Sequence, residues 1–94
     1  MKFLALRFSK RIVNEAIPYK HLLLADESIQ AINKYIHRCD LYLVTDNELA
    51  IGVCAIQEID ASTIEIKNLA IIKEYRNCAV GSWCIQKVKP PRML

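Results

Sequence analysis

The sequence predicts an α+β domain, a mostly antiparallel sheet flanked by helices. Three observations carry this. Three strand-like runs follow one another between residues 41 and 72. The loops between them are only a few residues long, and short loops join antiparallel neighbours. Helical spacing is confined to the segments on either side of that meander.

The elements follow in order. Lys2 to Phe8 alternates Phe3, Ala5 and Arg7 against Lys2, Leu4 and Leu6, a weak strand pattern. Pro18 is suited to the first turn of a helix, where its missing N–H is not needed, and the helix covers Tyr19 to Ala25. Ser28 reads as the N-cap of the next helix. That helix places Ile29, Ile32, Tyr35 and Ile36 on one face and stops near Arg38.

Leu41 to Val44 is a short apolar strand, and Asp46-Asn47 supplies turn chemistry. Leu49 to Ile59 alternates, with Ile51, Val53, Ala55, Gln57 and Ile59 on one side; Gly52 marks a bulge or a close contact. After the turn at Asp60-Ala61-Ser62, the strand Thr63 to Ile72 sets Ile64, Ile66, Asn68 and Ala70 against Glu65, Lys67, Leu69 and Ile71. The last helix runs from Val80 to Val88, because Lys89 precedes Pro90 and is biased away from helical geometry.

Composition bounds the function. Ninety-four residues make one domain, 1–94, and a chain of that size buries roughly two-thirds of its unfolded surface. With 53% hydrophobic and 24% charged residues the chain is globular rather than disordered. Its longest apolar runs, Leu22 to Ala25 and Leu69 to Ile72, are too short to span a bilayer. Four apolar residues between Lys2 and Arg7 are too few for a secretory signal, which makes the cytoplasm the expected location. Cys39, Cys54, Cys78 and Cys84 show neither a Cys-x-x-Cys pair nor zinc-ligand spacing with His, so they are expected to be reduced thiols, with no metal. His21 and His37 read as surface or interface residues.

Charge is uneven. Residues 1–60 carry seven Lys/Arg and eight Asp/Glu, a net of −1, whereas residues 61–94 carry six against two, a net of +4. A basic C-terminal third suits a polyanionic partner, and it equally suits a solvated face with a basic tail. The chain lacks the aromatic platform of single-strand binders and any nucleic-acid recognition motif, which leaves nucleic acid the weakest choice of partner.

The stretch TIEIKNLAIIKEYRNCAVGSW, residues 63–83, is the most informative. An apolar strand passes through a charged loop straight into a helix whose mouth carries small residues. The first N–H groups of a helix lack internal partners and lie at the positive end of its dipole, so Arg76 to Gly81 is a candidate phosphate cradle. Cys78 there reads as a loop residue, although a thiol at a helix N-terminus tends to a lowered pKa.

These residues resemble motif A of the GNAT N-acetyltransferase superfamily, Gln/Arg-x-x-Gly-x-Gly/Ala, with Arg76, Ala79 and Gly81 at its fixed positions. Pro18 to Asp26 and Ile66 to Ile71 are similar to a bacterial subgroup of small acetyltransferases, so the likeness extends over residues 17–88. The resemblance implies the N-terminal half to two-thirds of an acyl-CoA N-acyltransferase fold. The strands and helix that follow motif A would be missing, a C-terminally truncated member.

It also implies acetyl-CoA as cosubstrate, an amine of unknown identity as acceptor, and N-acetyl transfer as the activity. Acetyl-CoA would lie along Asn68 to Ile72, pairing with Leu69, Ala70 and Ile71. Its diphosphate would rest on Asn77, Cys78, Ala79, Val80, Gly81 and Ser82 beside Arg76. Glu65 is the candidate general base through water, or simply a solvated surface carboxylate.

Two positions depart from the motif. Ala79 stands at its first glycine, where a Cβ crowds the diphosphate or penalises a tight loop by about 1 kcal/mol. Cys78 stands where relatives often have Lys, Arg or Gly. No Tyr general acid carries over, and Tyr75 reads as a packing residue. The alternative to an enzyme is a non-catalytic remnant that folds by self-association and binds CoA without turnover. In either case the edge strand 63–72 is expected to be covered by a second copy, as a homo-oligomer, or by the chain's own C-terminal segment.

Overall fold

A computed structural model describes residues 5–93. Four strands form one antiparallel meander in the order β1-β2-β3-β4: Leu6–Lys10, Asp40–Asp46, Leu49–Asp60 and Thr63–Ile71. Two short helices, α1 (Tyr19–Leu22) and α2 (Ile29–Asn33), cover one face, and α3 (Val80–Lys87) packs on the other. This is the α+β arrangement expected, and no helix of the described residues is long and apolar enough to cross a membrane.

Several element boundaries differ from the pattern reading. The first strand lies further along, at Leu6–Lys10, because its pairing with β2 runs from Leu6↔Asp46 to Lys10↔Tyr42; residues 2–4 lie outside the described residues. The helix after Pro18 is one turn long rather than two, and Pro18 is its N-cap (φ −79°, ψ 66°) rather than its first residue. Ser28 does cap α2, accepting from the Ala31 N–H at 3.1 Å. The expected single helix to Arg38 is broken at Tyr35 (φ −127°, ψ −21°) and resumes as a 3-10 turn at Ile36–Arg38. Ile32 and Ile36 still reach the core, whereas Ile29 is left exposed.

Bulges rearrange the predicted faces. Val44 pairs with Gly52 and Thr45 with Ala50, so Ile51 is an extra residue in β3. Ile51 therefore packs with Val44, Val80 and Cys84 under α3, while Val53 and Ala55 pack with Leu22, Ile32 and Ile36 on the opposite face. Ile51 through Ile56 are all buried, because both faces of this central strand are covered. A second bulge lies in β4, where Ala55 pairs with Asn68 and Ile56 with Ile66, leaving Lys67 as the extra residue. Across it the expected common face of Ile66, Asn68 and Ala70 is lost. Asn68 and Ala70 share the side of Ala55 and Val53, whereas Ile66 shares that of Ile56.

The β2–β3 hairpin turns through Asn47 and Glu48, both at positive φ (48° and 77°), a two-residue turn of the type that matches strand twist. After α3, Arg92 N–H bonds the Ala61 carbonyl at 2.7 Å and its guanidinium bonds Ser62 Oγ at 3.2 Å. The C-terminal segment thus docks on the β3–β4 turn. Trp83 packs edge-on against Phe8 (6.1 Å between centroids) with Lys87 above its ring, while Ile85 is 53% exposed. All four cysteines are free thiols. Burial pushes Cys54 up to about 12 and Cys84 to about 11, so both behave as small apolar residues.

Gly52 is the close contact its position suggested. A Cβ there would meet the Ala70 carbonyl oxygen at 2.5 Å and Ile71 Cδ1 at 2.6 Å. The nearer atom is backbone and part of the β3–β4 ladder, so it has no side-chain freedom to yield. We expect Gly52→Ala to cost about 2 kcal/mol or more, read as a lowered denaturation midpoint; an unchanged midpoint would refute this account of the β3–β4 approach.

Candidate functional site

The candidate cradle is built where β4 ends. Ile72 is tied back to the sheet by its N–H to the Ile51 carbonyl (2.8 Å), and Lys73–Tyr75 forms a 3-10 turn. Tyr75 does more than pack. Its hydroxyl donates to Asp46 Oδ2 at 2.6 Å, while Oδ1 of the same carboxylate accepts the Ala5 N–H at 2.9 Å. Asp46, read from sequence as turn chemistry, is in fact a nearly buried anchor joining β1, the end of β2 and this loop. The hydrogen bond to Asp46 raises the Tyr75 pKa, with partial burial acting in the same direction. Arg76 folds back so that Nε donates to the Ile71 carbonyl at 3.1 Å.

Beyond Arg76 the backbone alternates. Asn77 (φ 65°) and Ala79 (φ 61°) are left-handed, whereas Cys78 and the first residues of α3 are not. Alternating left- and right-handed residues turn successive N–H groups toward one point, the geometry of an anion-binding nest. The first bond of the α3 ladder is Trp83 N–H to Ala79 O (3.0 Å), so the N–H groups of Val80, Gly81 and Ser82 precede it. Gly81 has nothing within 4 Å of where a Cβ would sit. The chain's own packing therefore does not require glycine there, and the missing side chain leaves room at the helix mouth. Ile71, Tyr75, Arg76, Asn77, Ala79, Val80, Gly81 and Ser82 enclose an open cleft of about 300 Å³.

Of the residues singled out from sequence, the structure brings Arg76 to Ser82 together with the end of β4. Leu69, Ala70 and Ile71 lie on β4, an edge strand that pairs with β3. Glu65 lies beyond the bulge, exposed and ion-paired with Lys67. Roughly 20 Å of strand separates Glu65 from Ile71, at about 3.3 Å per residue. No cluster of three His, Cys, Asp or Glu side chains is present among the described residues.

A polar chain lies on the opposite face, and sequence reasoning reached Asn68, as the mark of a strand distortion or the partner of a backbone group, but not Asp26 or the role of Tyr35. Asn68, 4% exposed, donates through Nδ2 to the Leu22 carbonyl at 3.0 Å and to the Tyr35 hydroxyl at 3.1 Å. Tyr35 in turn donates to Asp26 Oδ2 at 2.6 Å. A polar residue inside an apolar strand was the one available signal, since Asp26, Tyr35 and Leu22 are distant in sequence. Burial, together with the bond to Asp26, pushes the Tyr35 hydroxyl up to about 12, partly opposed by the bond from Asn68.

No family model and no curated protein matches the chain. Solved structures do. A GNAT family acetyltransferase from Elizabethkingia anophelis with acetyl-CoA bound is 32% identical at a TM-score of 0.78, covering 86% of this chain and 53% of that one. The chain shares the fold of GNAT acetyltransferases. An IAA acetyltransferase from Bacillus cereus ATCC 14579 is 30% identical (TM-score 0.77; 87% of this chain, 54% of that one). A Bacillus subtilis acetyltransferase in complex with CoA is 25% identical (TM-score 0.73; 85% and 53%). The chain thus spans about half the length of the GNAT structures it matches.

Two expectations follow. Ala79 pays a left-handed penalty of about 1 kcal/mol that glycine avoids, so Ala79→Gly is expected to raise stability by about that amount in chemical denaturation. A loss of stability would mean the loop does not hold this conformation. For Tyr35 the sign follows from its raised pKa. The unfolded chain ionises near pH 10 and the fold holds the proton to about 12. The stabilisation is complete below pH 10 and fades as pH rises from 10 to 12. The stability gap between the wild type and Tyr35→Phe should therefore shrink across that window, and a gap that widens would exclude a buried, protonated phenol.

Proposed function

We propose that this chain binds acetyl-CoA at residues 76–82 and serves acetyl transfer to an amine. The observation that carries this reading is the nest itself: left-handed Asn77 and Ala79 at the mouth of α3, beside open space at Gly81. The donor set fits a diphosphate, because the N–H groups of Val80, Gly81 and Ser82 precede the first bond of the α3 ladder, Ser82 adds a hydroxyl and Arg76 adds positive charge. The edge of β4 at Leu69, Ala70 and Ile71 offers backbone groups to an extended arm as an added strand would use them. When bound, acetyl-CoA supplies a thioester whose carbonyl carbon accepts an amine.

The residues of the chain then bind, orient and move a proton. The new C–N bond forms and the C–S bond breaks, CoA leaves as its thiolate and takes a proton from water, and the amine proton passes to a base. Glu65 is the proposed base, acting through water; its ion pair with Lys67 keeps its carboxylate at the β4 surface. A second copy of the chain is the proposed cover for the β4 edge, residues 63–72. Because one edge accepts one added strand, coenzyme and partner would compete along residues 68–71.

Calorimetric titration of the full chain with acetyl-CoA, followed by an acetyl-transfer assay on an amine panel, tests the reading. Binding with transfer supports the enzyme. Binding without transfer favours the alternative, a non-catalytic CoA-binding module. No binding overturns both. If Glu65 is the base, Glu65→Gln lowers kcat by about a hundredfold and leaves the acetyl-CoA Kd unchanged; an unaltered kcat returns Glu65 to the role of a solvated surface residue.

A further inference from the structure

The bulge in β4 is held from behind. Lys67 is the extra residue, and the side chain immediately after it, Asn68, turns into the helical face of the sheet rather than toward the cleft. There Nδ2 bonds the carbonyl of the last residue of α1 and the Tyr35 hydroxyl, while Tyr35 bonds Asp26. The amide orientation is fixed by chemistry: reversing it would press Oδ1 against the Leu22 carbonyl, two acceptors face to face. Oδ1 is accordingly the atom left buried without a partner. A buried amide that forgoes one hydrogen bond carries a local cost, and such costs persist where the surroundings over-determine a geometry.

The place of this amide gives the geometry a use. Between the bulge and the loop at residue 72, β4 pairs regularly with β3 over Asn68↔Ala55, Leu69↔Cys54, Ala70↔Val53 and Ile71↔Gly52. An extended ligand arm laid on the outer edge from the nest therefore keeps register for four residues and meets the distortion at Lys67. The bulge sets where that regular track stops, which fixes the position of whatever the arm carries at its tip.

We propose that Asp26 and Tyr35 are positioning residues, which hold Asn68 and through it the β4 bulge at the far end of the coenzyme track. This rests on the reading that acetyl-CoA occupies the nest and the β4 edge. Tyr35 touches neither; it acts through Asn68. Removing its hydroxyl leaves one Nδ2 hydrogen bond unmade and takes from Asp26 Oδ2 the donor it has in Tyr35, while the ring remains to fill its space. Asn at position 26 keeps an acceptor for the Tyr35 hydroxyl, whereas Ala does not.

The test has two readouts. In the free protein, amide hydrogen exchange by NMR at residues 66–69 should accelerate by about tenfold in Tyr35→Phe and Asp26→Ala, the loss of one charge-assisted hydrogen bond. Exchange in α3 should be unchanged, and Asp26→Asn should stay near the wild type. In titration, the same two variants should weaken acetyl-CoA by about tenfold without altering the affinity for ADP, which carries a diphosphate but no thioester arm.

Unchanged exchange at 66–69, or a uniform rise that includes α3, overturns the proposal. So does an equal loss for acetyl-CoA and ADP. A wild type that binds neither ligand overturns the coenzyme reading instead, and local exchange then decides whether the network holds the bulge.

Discussion

The arrangement depends on main-chain N–H groups at the mouth of α3. They are presented because the backbone alternates handedness at Asn77 and Ala79, and that alternation holds only between two fixed ends. One end is β4, tied into β3 by Ile72 and braced by Arg76. The other is α3, seated by Val80 and Cys84 in the core beneath the sheet. The Asp46–Tyr75 bond adds a third restraint from the β2–β3 corner. A loop of this shape would be costly in isolation, since Ala gains nothing from a left-handed conformation; the packed elements on either side absorb the cost.

The two faces of the sheet divide the work. The α3 face carries the loop and the apolar cluster that supports it. The α1/α2 face carries the Asp26–Tyr35–Asn68 chain, which joins β4 next to its distortion. Central β3 is buried on both sides, and Gly52 lets it lie close against Ala70 and Ile71. The strand that bears the site is thus pinned at its end, its middle and its bulge.

Much of this was legible in the residues, in proportion to how local each cause is. Ser28 announced its cap, Pro90 the stop of the last helix, and residues 76–82 the strand-to-helix turn, because each rests on chemistry within a few positions. The faces of β3 and β4 were misread at Ile51 and across Lys67. A bulge inserts one residue and every alternation beyond it inverts; Gly52 marked the first, but not which residue was the extra one. The break at Tyr35 was invisible for a different reason. Its hydroxyl answers to Asp26 and Asn68, and only the folded chain brings them together. Asp46 looked like turn chemistry because the carboxylate's partners, Ala5 and Tyr75, lie 41 and 29 positions away.

A loop whose donors are peptide groups has no obligatory spelling. Here Cys78 and Ala79 stand in it, and its course is set by the left-handed torsions at Asn77 and Ala79. A substitution in such a segment is admitted or refused by the torsion angles it can adopt, and β-branched side chains, which resist positive φ, are the ones most firmly shut out at positions 77 and 79.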